Sequence, residues 1–371
     1  MKKNRINWRN TLFLTLTPLA AAIMVPWYFS ENGFNWTVMA ILASFYVIFT
    51  LSIGCGYHRY FAHRSYEVHP IIEFLYVFFG SGSFQGSVLE WSADHRIHHS
   101  KVDTDQDPYS INKGFWYAHI GWLFVKSDEP MDFPKDLASK KLLQFQHKYY
   151  GLCSTVVGFG VPWLVGELCG VGIGGFIFGG VLRVVLTQHT TFMVNSVAHT
   201  FGTQPYSQEH TARDSFLLAV LTFGEGYHNY HHEFQSDYRC AVKWYQWDPS
   251  KWTISTLSFV GLAKKLKRFS RYDVAIVKVR QESNFLIMKG HVDEKLQNLR
   301  QGIEDAQKRA KFMMAEYQRE YQQFKANMQE QSHEKIAQLK ADMKKAQQEF
   351  EVGLKQWRLY MKSLKKARIY G

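Results

Sequence analysis

Nine of the sixteen histidines in this chain fall into four short groups whose spacing suits metal binding. The groups are His58 with His63, then His95 with His98 and His99, then His199, and finally His228 with His231 and His232. In the two HxxHH motifs the imidazoles stand at positions i, i+3 and i+4, on one face of a helix, so all three rings can converge on metal. Imidazole is the commonest metal ligand in proteins, and two such triads indicate a polyhistidine metal centre.

The HRYFAH motif has a looser spacing than the two triads. His58 and His63 are five residues apart, which is about 140° out of register on a regular helix. The sequence therefore predicts that this turn distorts or that a helix ends between the two histidines.

Carboxylates stand close to these histidines in the sequence and are candidates for orienting them. A ligating histidine usually donates its other ring nitrogen to a carboxylate or a carbonyl. The candidates are Asp94, Asp107, Glu225 and Glu233.

The histidine groups must be positioned by apolar elements, because four segments are long enough to cross a bilayer. A transmembrane helix needs about 20 apolar residues, and the candidate spans are residues 11–29, 37–57, 150–168 and 170–193. Residues 71–91 begin equally apolar but turn polar after Gly80, which predicts a helix in the membrane interface or against the protein. The expected fold is an all-α integral membrane protein with four transmembrane helices in two hairpins.

This arrangement predicts that all histidine groups lie on one side of the membrane. With two hairpins, both termini and the segment 58–149 share a side, where we expect a helical cap that holds the metal centre. Basic residues precede the first span, whereas the turns on the opposite side carry Glu31 and Glu167 but no Lys or Arg. Because Lys and Arg favour cytoplasmic loops, the active side and both termini are predicted to be cytoplasmic.

The C-terminal third differs from the rest of the chain in charge. Residues 1–250 contain 18 Lys and Arg against 19 Asp and Glu, whereas residues 251–371 contain 26 against 13. We therefore expect a membrane-embedded domain at 1–260, a basic linker at 261–283 and a separate tail at 284–371. Because the positive charge follows a membrane-proximal segment, nucleic-acid binding is not expected.

The tail carries a heptad pattern, which is typical of a coiled-coil-like helix. The pattern breaks near residues 331–334, where the tail could fold back as a helical hairpin. Its apolar positions are Val292, Leu296, Leu299, Ile303, Ala306, Ala310, Met313 and Tyr317, then Ile336, Leu339, Met343, Ala346 and Phe350. Homo-oligomerisation, docking of a redox partner, contact with anionic lipid and a solvated appendage are all open for this segment.

The four cysteines predict free thiols and no thiolate metal site. Cys55, Cys153, Cys169 and Cys240 form no CxxC pair, and three of them lie in or near predicted spans. The sequence shows no cysteine cluster typical of a rubredoxin or ferredoxin.

Together the motifs resemble the membrane fatty-acyl desaturases, most closely the Δ9 acyl-CoA (stearoyl-CoA) desaturase type. The resemblance covers about residues 10–255 and rests on HRYFAH, EWSADHRIHH, AHIGWLF, NSVAH and GEGYHNYHH in this order. It implies two iron ions held by the nine histidines, with Asn195 bound to metal through water. It also implies a membrane enzyme that uses O₂ to introduce a cis double bond, at the Δ9 position, into a saturated long-chain acyl thioester or acyl lipid.

The resemblance also implies partners and a substrate path. Electrons would come from a separate donor of the ferredoxin, rubredoxin or cytochrome type with its reductase. Candidate substrate-binding residues are Gln85, Trp91, Asp94 and Trp122. Animal acyl-CoA enzymes generally carry a basic residue where this chain has Ala93, so the acyl carrier stays open between CoA, carrier protein and phospholipid.

Two other functions are compatible with the histidine pattern. One is a polyhistidine diiron hydroxylase acting on alkanes, sterols or carotenoids, and the other is a non-enzymatic membrane metal-binding protein. Arg183 inside the fourth apolar segment also has two interpretations, a functional intramembrane charge or a side chain that reaches the interface.

Overall fold

The computed structural model describes residues 5–126, 131–290, 293–327 and 332–366. It divides into two compact units, the first formed by Met1–Gln204 with Glu209–Arg268 and the second by Pro205–Gln208 with Phe269–Gly371. The described residues are mostly helical, as predicted. They also contain one short antiparallel sheet in which β1 (Glu67–Val68) pairs with β2 (Ala263–Lys264).

The first unit contains the four predicted membrane-spanning helices. The apolar helical stretches are Trp8–Asn32, Trp36–Ala62, Tyr150–Leu168 and Gly172–His199. The first two begin at asparagines whose side chains accept hydrogen bonds from the first turn, namely Asn7 and Asn35. Each stretch has the length that a bilayer requires, and the four confirm a multi-pass membrane protein.

The described residues of this unit contain fourteen α-helices. They are α1 (Trp8–Asn32), α2 (Trp36–Leu51), α3 (Pro70–Ser81), α4 (Val88–Lys101), α5 (Phe115–His119), α6 (Lys135–Ala138), α7 (Lys141–Lys148), α8 (Tyr150–Thr155), α9 (Val161–Leu168), α10 (Gly172–Gly174), α11 (Arg183–Ser196), α12 (Phe216–Leu221), α13 (His228–Glu233) and α14 (Pro249–Phe259). Three π-helical segments continue the spans, at Ser52–Ala62, Val156–Gly160 and Gly175–Leu182. Three 3₁₀ turns lie at Ile111–Lys113, Gly121–Phe124 and Val197–His199.

Small residues let the third and fourth spans approach closely. A Cβ atom on Gly175 would lie 2.5 Å from the carbonyl oxygen of Pro162 and 2.8 Å from the Cα of Gly166. A Cβ on Gly179 would lie 2.8 Å from a side-chain carbon of Ile41 on α2. The small-xxx-small pair Gly175 and Gly179 therefore serves helix packing.

Arg183 lies inside the fourth span and is fully buried, so its side chain does not reach the interface. Its guanidinium donates hydrogen bonds to the carbonyl oxygens of Gly82 at 2.7 Å, Gly158 at 2.6 Å and Gly179 at 3.1 Å. It also stacks over the ring of Phe49 at 3.9 Å. Arg183 thus binds carbonyl groups of two π-helical segments and of Gly82, the residue that follows α3.

The segment 71–91 forms two elements separated by a polar turn. Helix α3 ends at Ser81, and α4 begins at Val88 after a capping box. In that box the Ser87 hydroxyl accepts a hydrogen bond from the backbone amide of Glu90. The Glu90 carboxylate in turn accepts a hydrogen bond from the backbone amide of Ser87 at 2.9 Å. This cap fixes the start of the helix that carries the first HxxHH motif.

The second unit is a helical structure with its own apolar core. Its helices are α15 (Arg271–Met288), α16 (Glu294–Asn327) and α17 (Ser332–Lys366). Heptad positions predicted from the sequence are buried in it, among them Leu296, Ile303, Ala310 and Phe350. The heptad position Val292 and part of the predicted break at 331–334 lie outside the described residues.

Candidate metal centre

The first histidine pair is positioned by a π-helical turn. The His63 amide donates to the His58 carbonyl at 3.0 Å, the i→i+5 hydrogen bond of a π-helix. This bond brings residues five apart onto the same face, and the two rings lie 4.8 Å apart between centroids. The predicted distortion of HRYFAH is confirmed, and its form is a π-helix over Ser52–Ala62.

All nine histidines come together in two buried groups. Within each group one nitrogen per ring lies within 4.8 Å of those of all the other members. The five-histidine group consists of His58, His63, His95, His99 and His231. The four-histidine group consists of His98, His199, His228 and His232. Either group could hold a metal ion.

Each HxxHH triad is divided between the two groups, so the three rings of a triad do not converge on one point. On α4, His95 and His99 join the five-histidine group while His98 joins the other. On α13, His228 and His232 join the four-histidine group. Residues four apart on a helix differ by about 40° in direction, whereas adjacent residues differ by about 100°. The i, i+4 pair therefore shares a group and the third histidine faces the other.

The ring nitrogens of the five-histidine group point at one another. His58 Nε2 lies 2.9 Å from His231 Nε2, which in turn lies 3.0 Å from His99 Nε2. The Nδ1 atom of His58 lies 2.8 Å from a carboxylate oxygen of Glu225. The carboxylate beside Nδ1 favours the neutral tautomer with its proton on Nδ1, which leaves the His58 Nε2 lone pair facing the group. Converging lone pairs need a cation between them, and this donor set fits a metal ion.

The four-histidine group is oriented in the same way. His98 Nδ1 lies 3.0 Å from Asp107 Oδ1, and its Nε2 lies 3.3 Å from His232 Nε2. His199 Nδ1 lies 2.8 Å from the Thr211 hydroxyl, which lies 2.7 Å from Asp103 Oδ1. Because the hydroxyl donates to Asp103, it accepts from His199, whose buried Nε2 has no hydrogen-bond partner among the described residues. The lone pairs of His98 and His199 are thus available to metal.

Burial favours the neutral form of several of these imidazoles. It lowers the pKa of His95, His99, His231 and His232 well below the usual value, and neighbouring imidazoles lower each pKa further. Metal binding requires neutral histidine, so the site holds its ligands in the form that binds.

Glu225 connects the metal centre to a buried ion-pair network. Burial raises its pKa, but the Arg59 guanidinium, followed by the neighbouring His58 ring, outweighs that effect and lowers the pKa to about 2. The Arg59 guanidinium lies 2.8 Å from Glu225 and 3.0 Å from Asp248. The Asp248 carboxylate also accepts hydrogen bonds from the backbone amides of Cys240 and Lys251. Of the four candidate carboxylates, Asp107 and Glu225 contact a histidine of the two groups.

Asn195 lies in the last turn of α11, four residues before His199. The α-helix ends at Ser196 and His199 lies in the following 3₁₀ turn, so a regular i, i+4 relation does not connect the two side chains. Asn195 is partly buried.

The four candidate substrate residues lie at different distances from the histidines. Trp91 stacks on His95 with ring centroids 4.7 Å apart. Gln85 donates to the Thr191 hydroxyl at 2.9 Å, and its buried carbonyl oxygen has no hydrogen-bond partner among the described residues. The Trp122 ring packs 5.0 Å from that of Tyr109, which borders His98. Burial, followed by the charge of Glu90, raises the pKa of the partly buried Asp94 to about 7.

Three residues at the site were missed from the sequence. Thr211 and Asp103 orient His199, and the ring of His210 lies 5.1 Å from that of His232. Each is separated in sequence from the histidine it serves and none belongs to an HxxHH motif. The sequence signal that could have found His210 and Thr211 is their place on the loop between NSVAH and GEGYHNYHH.

Comparison with known proteins gives one family match. The family model described as fatty acid desaturase matches residues 34–254 of this chain. That range contains all nine histidines and Asn195.

Curated relatives cover most of this chain. It is 39% identical over 284 residues to Acyl-CoA desaturase 1 of Saccharomyces cerevisiae, covering 75% of this chain and 55% of the relative. It is 36% identical over 270 residues to an sn-1 stearoyl-lipid 9-desaturase of Anabaena variabilis, covering 71% and 95%. It is 32% identical over 287 residues to Stearoyl-CoA desaturase 5 of Bos taurus, covering 74% and 84%. The match thus spans little more than half of the yeast relative.

Proposed function

The chain belongs to the fatty acid desaturase family, and from that premise we propose that it is an O₂-dependent fatty-acyl desaturase. Its product is a cis double bond, at the Δ9 position, in a saturated long-chain acyl thioester or acyl lipid. The observation that carries the proposal is the convergence of nine histidines, as two buried groups, beside membrane-spanning helices. The relatives' names are desaturase names, which favours this activity over hydroxylation and over metal storage.

The cofactor proposed for this site is a pair of iron ions, one in each histidine group. The five-histidine group supplies His58, His63, His95, His99 and His231, and the four-histidine group supplies His98, His199, His228 and His232. The proposed partner of Asn195 is a water molecule bound to metal. The inward lone pairs of His58, His98 and His199 support this assignment.

The reaction removes two hydrogens from adjacent methylene groups. One O₂, two electrons and two protons are consumed for each double bond, and two water molecules form. The C–H bonds of a saturated chain are too weakly acidic for any side-chain base, so bound iron would supply the oxidising power from O₂. The protein's residues hold the ligands neutral, orient them and position the chain.

The proposed acyl path passes Gln85, Trp91 and Trp122. Trp91 borders the five-histidine group through its stacking on His95. The Gln85–Thr191 hydrogen bond joins the turn before α4 to α11. Asp94 is assigned to the head-group end. The relatives include both CoA-linked and lipid-linked enzymes by name, and parallel assays with stearoyl-CoA and a stearoyl phospholipid distinguish these carriers.

The proposed topology places the metal centre and both termini on the cytoplasmic side. Four spans in two hairpins bring the histidine groups to one side of the membrane, and Lys and Arg are concentrated there. We assign residues 1–260 to the desaturase domain, 261–283 to a basic linker and 284–371 to a coiled-coil-like tail, through which a homo-oligomer is possible. A separate ferredoxin, rubredoxin or cytochrome-type protein supplies the electrons.

The test is product analysis in cells that provide such an electron donor. Fatty acids are derivatised and analysed by gas chromatography with mass spectrometry for the wild type, His98→Ala and His69→Asn. His69 is exposed and caps α3, and asparagine preserves that cap. We expect a new monounsaturated acid in the wild type and in His69→Asn but not in His98→Ala. An iron-loaded, reduced wild type that yields a hydroxylated product, or no product, would refute the proposal.

A further inference from the structure

His210 is a tenth histidine at the metal centre, outside the nine that form the two groups. Its ring lies 5.1 Å from the His232 ring, between centroids. The His98 and His232 rings, which belong to the same group, are 5.0 Å apart. The His210 ring therefore lies about as close to His232 as the His98 ring does, although the His210 nitrogens are not part of the group.

Both ring nitrogens of His210 are buried and have no hydrogen-bond partner among the described residues. A neutral imidazole carries one N–H donor and one acceptor, so a buried donor is left unmatched. Leaving such a group unsatisfied is unfavourable, and an unsatisfied buried polar group in a native fold calls for a partner. The partner must be a small species that the polypeptide itself does not supply.

The position of His210 is held by residues that also serve the four-histidine group. The backbone carbonyl of His210 accepts a hydrogen bond from the side-chain amide of Gln204 at 2.6 Å. The next residue, Thr211, donates its amide to Asp103 at 2.7 Å and contacts His199 through its hydroxyl. The peptide unit that links His210 to Thr211 is therefore anchored next to a proposed metal ligand.

The two histidine groups differ in the number of imidazoles that they provide. One group has five and the other has four. Iron that reacts with O₂ keeps coordination positions open for ligands that do not belong to the protein. The group with fewer imidazoles leaves more room for such a ligand, and His210 lies beside this group.

We propose that His210 donates a hydrogen bond to a small non-protein ligand, such as a solvent molecule or an anion, bound in the four-histidine group. His210 is then a positioning residue for the exogenous ligand and not a metal ligand. This inference rests on the proposed metal centre. It adds to the four-histidine group an imidazole that lies outside the HRYFAH, HxxHH and NSVAH motifs.

The test uses azide as the probe and the full-length, iron-loaded chain in lipid nanodiscs. Iron per chain is measured by mass spectrometry, and the azide Kd of the ferric protein is measured from the charge-transfer absorbance. The variants are His210→Phe, which keeps a ring without nitrogens, and His69→Asn as the control. If the phenylalanine variant fails to fold, His210→Leu, which also removes the ring nitrogens, takes its place. Its azide Kd is then compared with that of the wild type.

We expect two irons per chain in all variants and an azide Kd raised about tenfold or more in His210→Phe, because a hydrogen bond to a charged acceptor is lost. The azide Kd of His69→Asn should equal that of the wild type. An unchanged azide Kd in His210→Phe would show that His210 only packs against its neighbours and does not contact the bound ligand. Loss of one iron from that variant would show that His210 is itself a metal ligand. Either result overturns the inference. A wild type that binds no iron would instead overturn the proposed metal centre, and the role of His210 with it.

Discussion

Replacing Glu225 with glutamine tests how one carboxylate stabilises one of the two histidine groups. A carboxylate oxygen of Glu225 lies 2.8 Å from Nδ1 of His58, a member of the five-histidine group, and the carboxylate also pairs with Arg59. Glutamine keeps the length of the side chain but removes the charge. Arg59 retains Asp248 as a partner, so the main loss falls on His58 and on the Glu225–Arg59 pair.

The magnitude follows from the pKa of Glu225. Burial alone would raise this pKa, but the Arg59 guanidinium, followed by the neighbouring His58 ring, lowers it from 4.5 to about 2. A shift of that size corresponds to about 3 kcal/mol of folding free energy. Because the folded-state pKa is lowered, this stabilisation is fully present above pH 4.5 and is lost as the pH falls towards 2. Breaking a buried ion pair costs a similar amount, about 3–5 kcal/mol.

At pH 7 we therefore expect Glu225→Gln to lower the free energy of unfolding by about 3 kcal/mol. Unfolding in mixed micelles with increasing dodecyl sulfate measures this loss, and the gap from wild type should narrow below pH 4.5. Iron affinity of one site should fall about 10–100-fold, since the partner of a ligating histidine loses its negative charge. Titration with a chelator should then release one iron early and the other at the wild-type concentration.

The control is Glu73→Gln, which removes a carboxylate paired with Lys140 at 2.7 Å and away from the histidines. Its two irons should be released as in the wild type. The reasoning is refuted if Glu225→Gln releases both irons equally early or neither, or if its stability matches wild type at pH 7.

Three further perturbations address other parts of the structure. Asp107→Asn should weaken one iron site about 10–100-fold by removing the partner of His98; an unchanged chelator titration would contradict this. Gln85→Leu removes a hydrogen bond to α11, so gas chromatography should show a shifted or mixed double-bond position, and a single unchanged product would argue against a substrate contact. Gly226→Ala should cost about 1–3 kcal/mol or more, because the new Cβ would meet the backbone nitrogen of Ala219 at 2.2 Å; micelle unfolding measures the loss, and a stability equal to wild type would show that α12 can move aside.

Local patterns in the sequence predicted the elements of this protein. The four spans, the helices under both HxxHH motifs and the distorted turn at HRYFAH follow from hydropathy and helical spacing, which depend on neighbouring residues. The nine histidines were identified for the same reason, since eight of them occur within short motifs. We propose that they bind iron.

Tertiary structure decided which histidines from different helices share a group, whereas helical spacing already keeps the i, i+4 pair of a triad together. Each triad is split between two groups because facing rings from α4 and α13 select the i, i+4 pair on each helix. The contacts of Glu225 with His58, of Thr211 with His199 and of His210 with His232 join residues from different segments. Helical periodicity relates residues within one element, whereas these contacts depend on how elements pack. The sequence by itself therefore determined which side chains could bind metal, and the packing of the helices decided which of them act together.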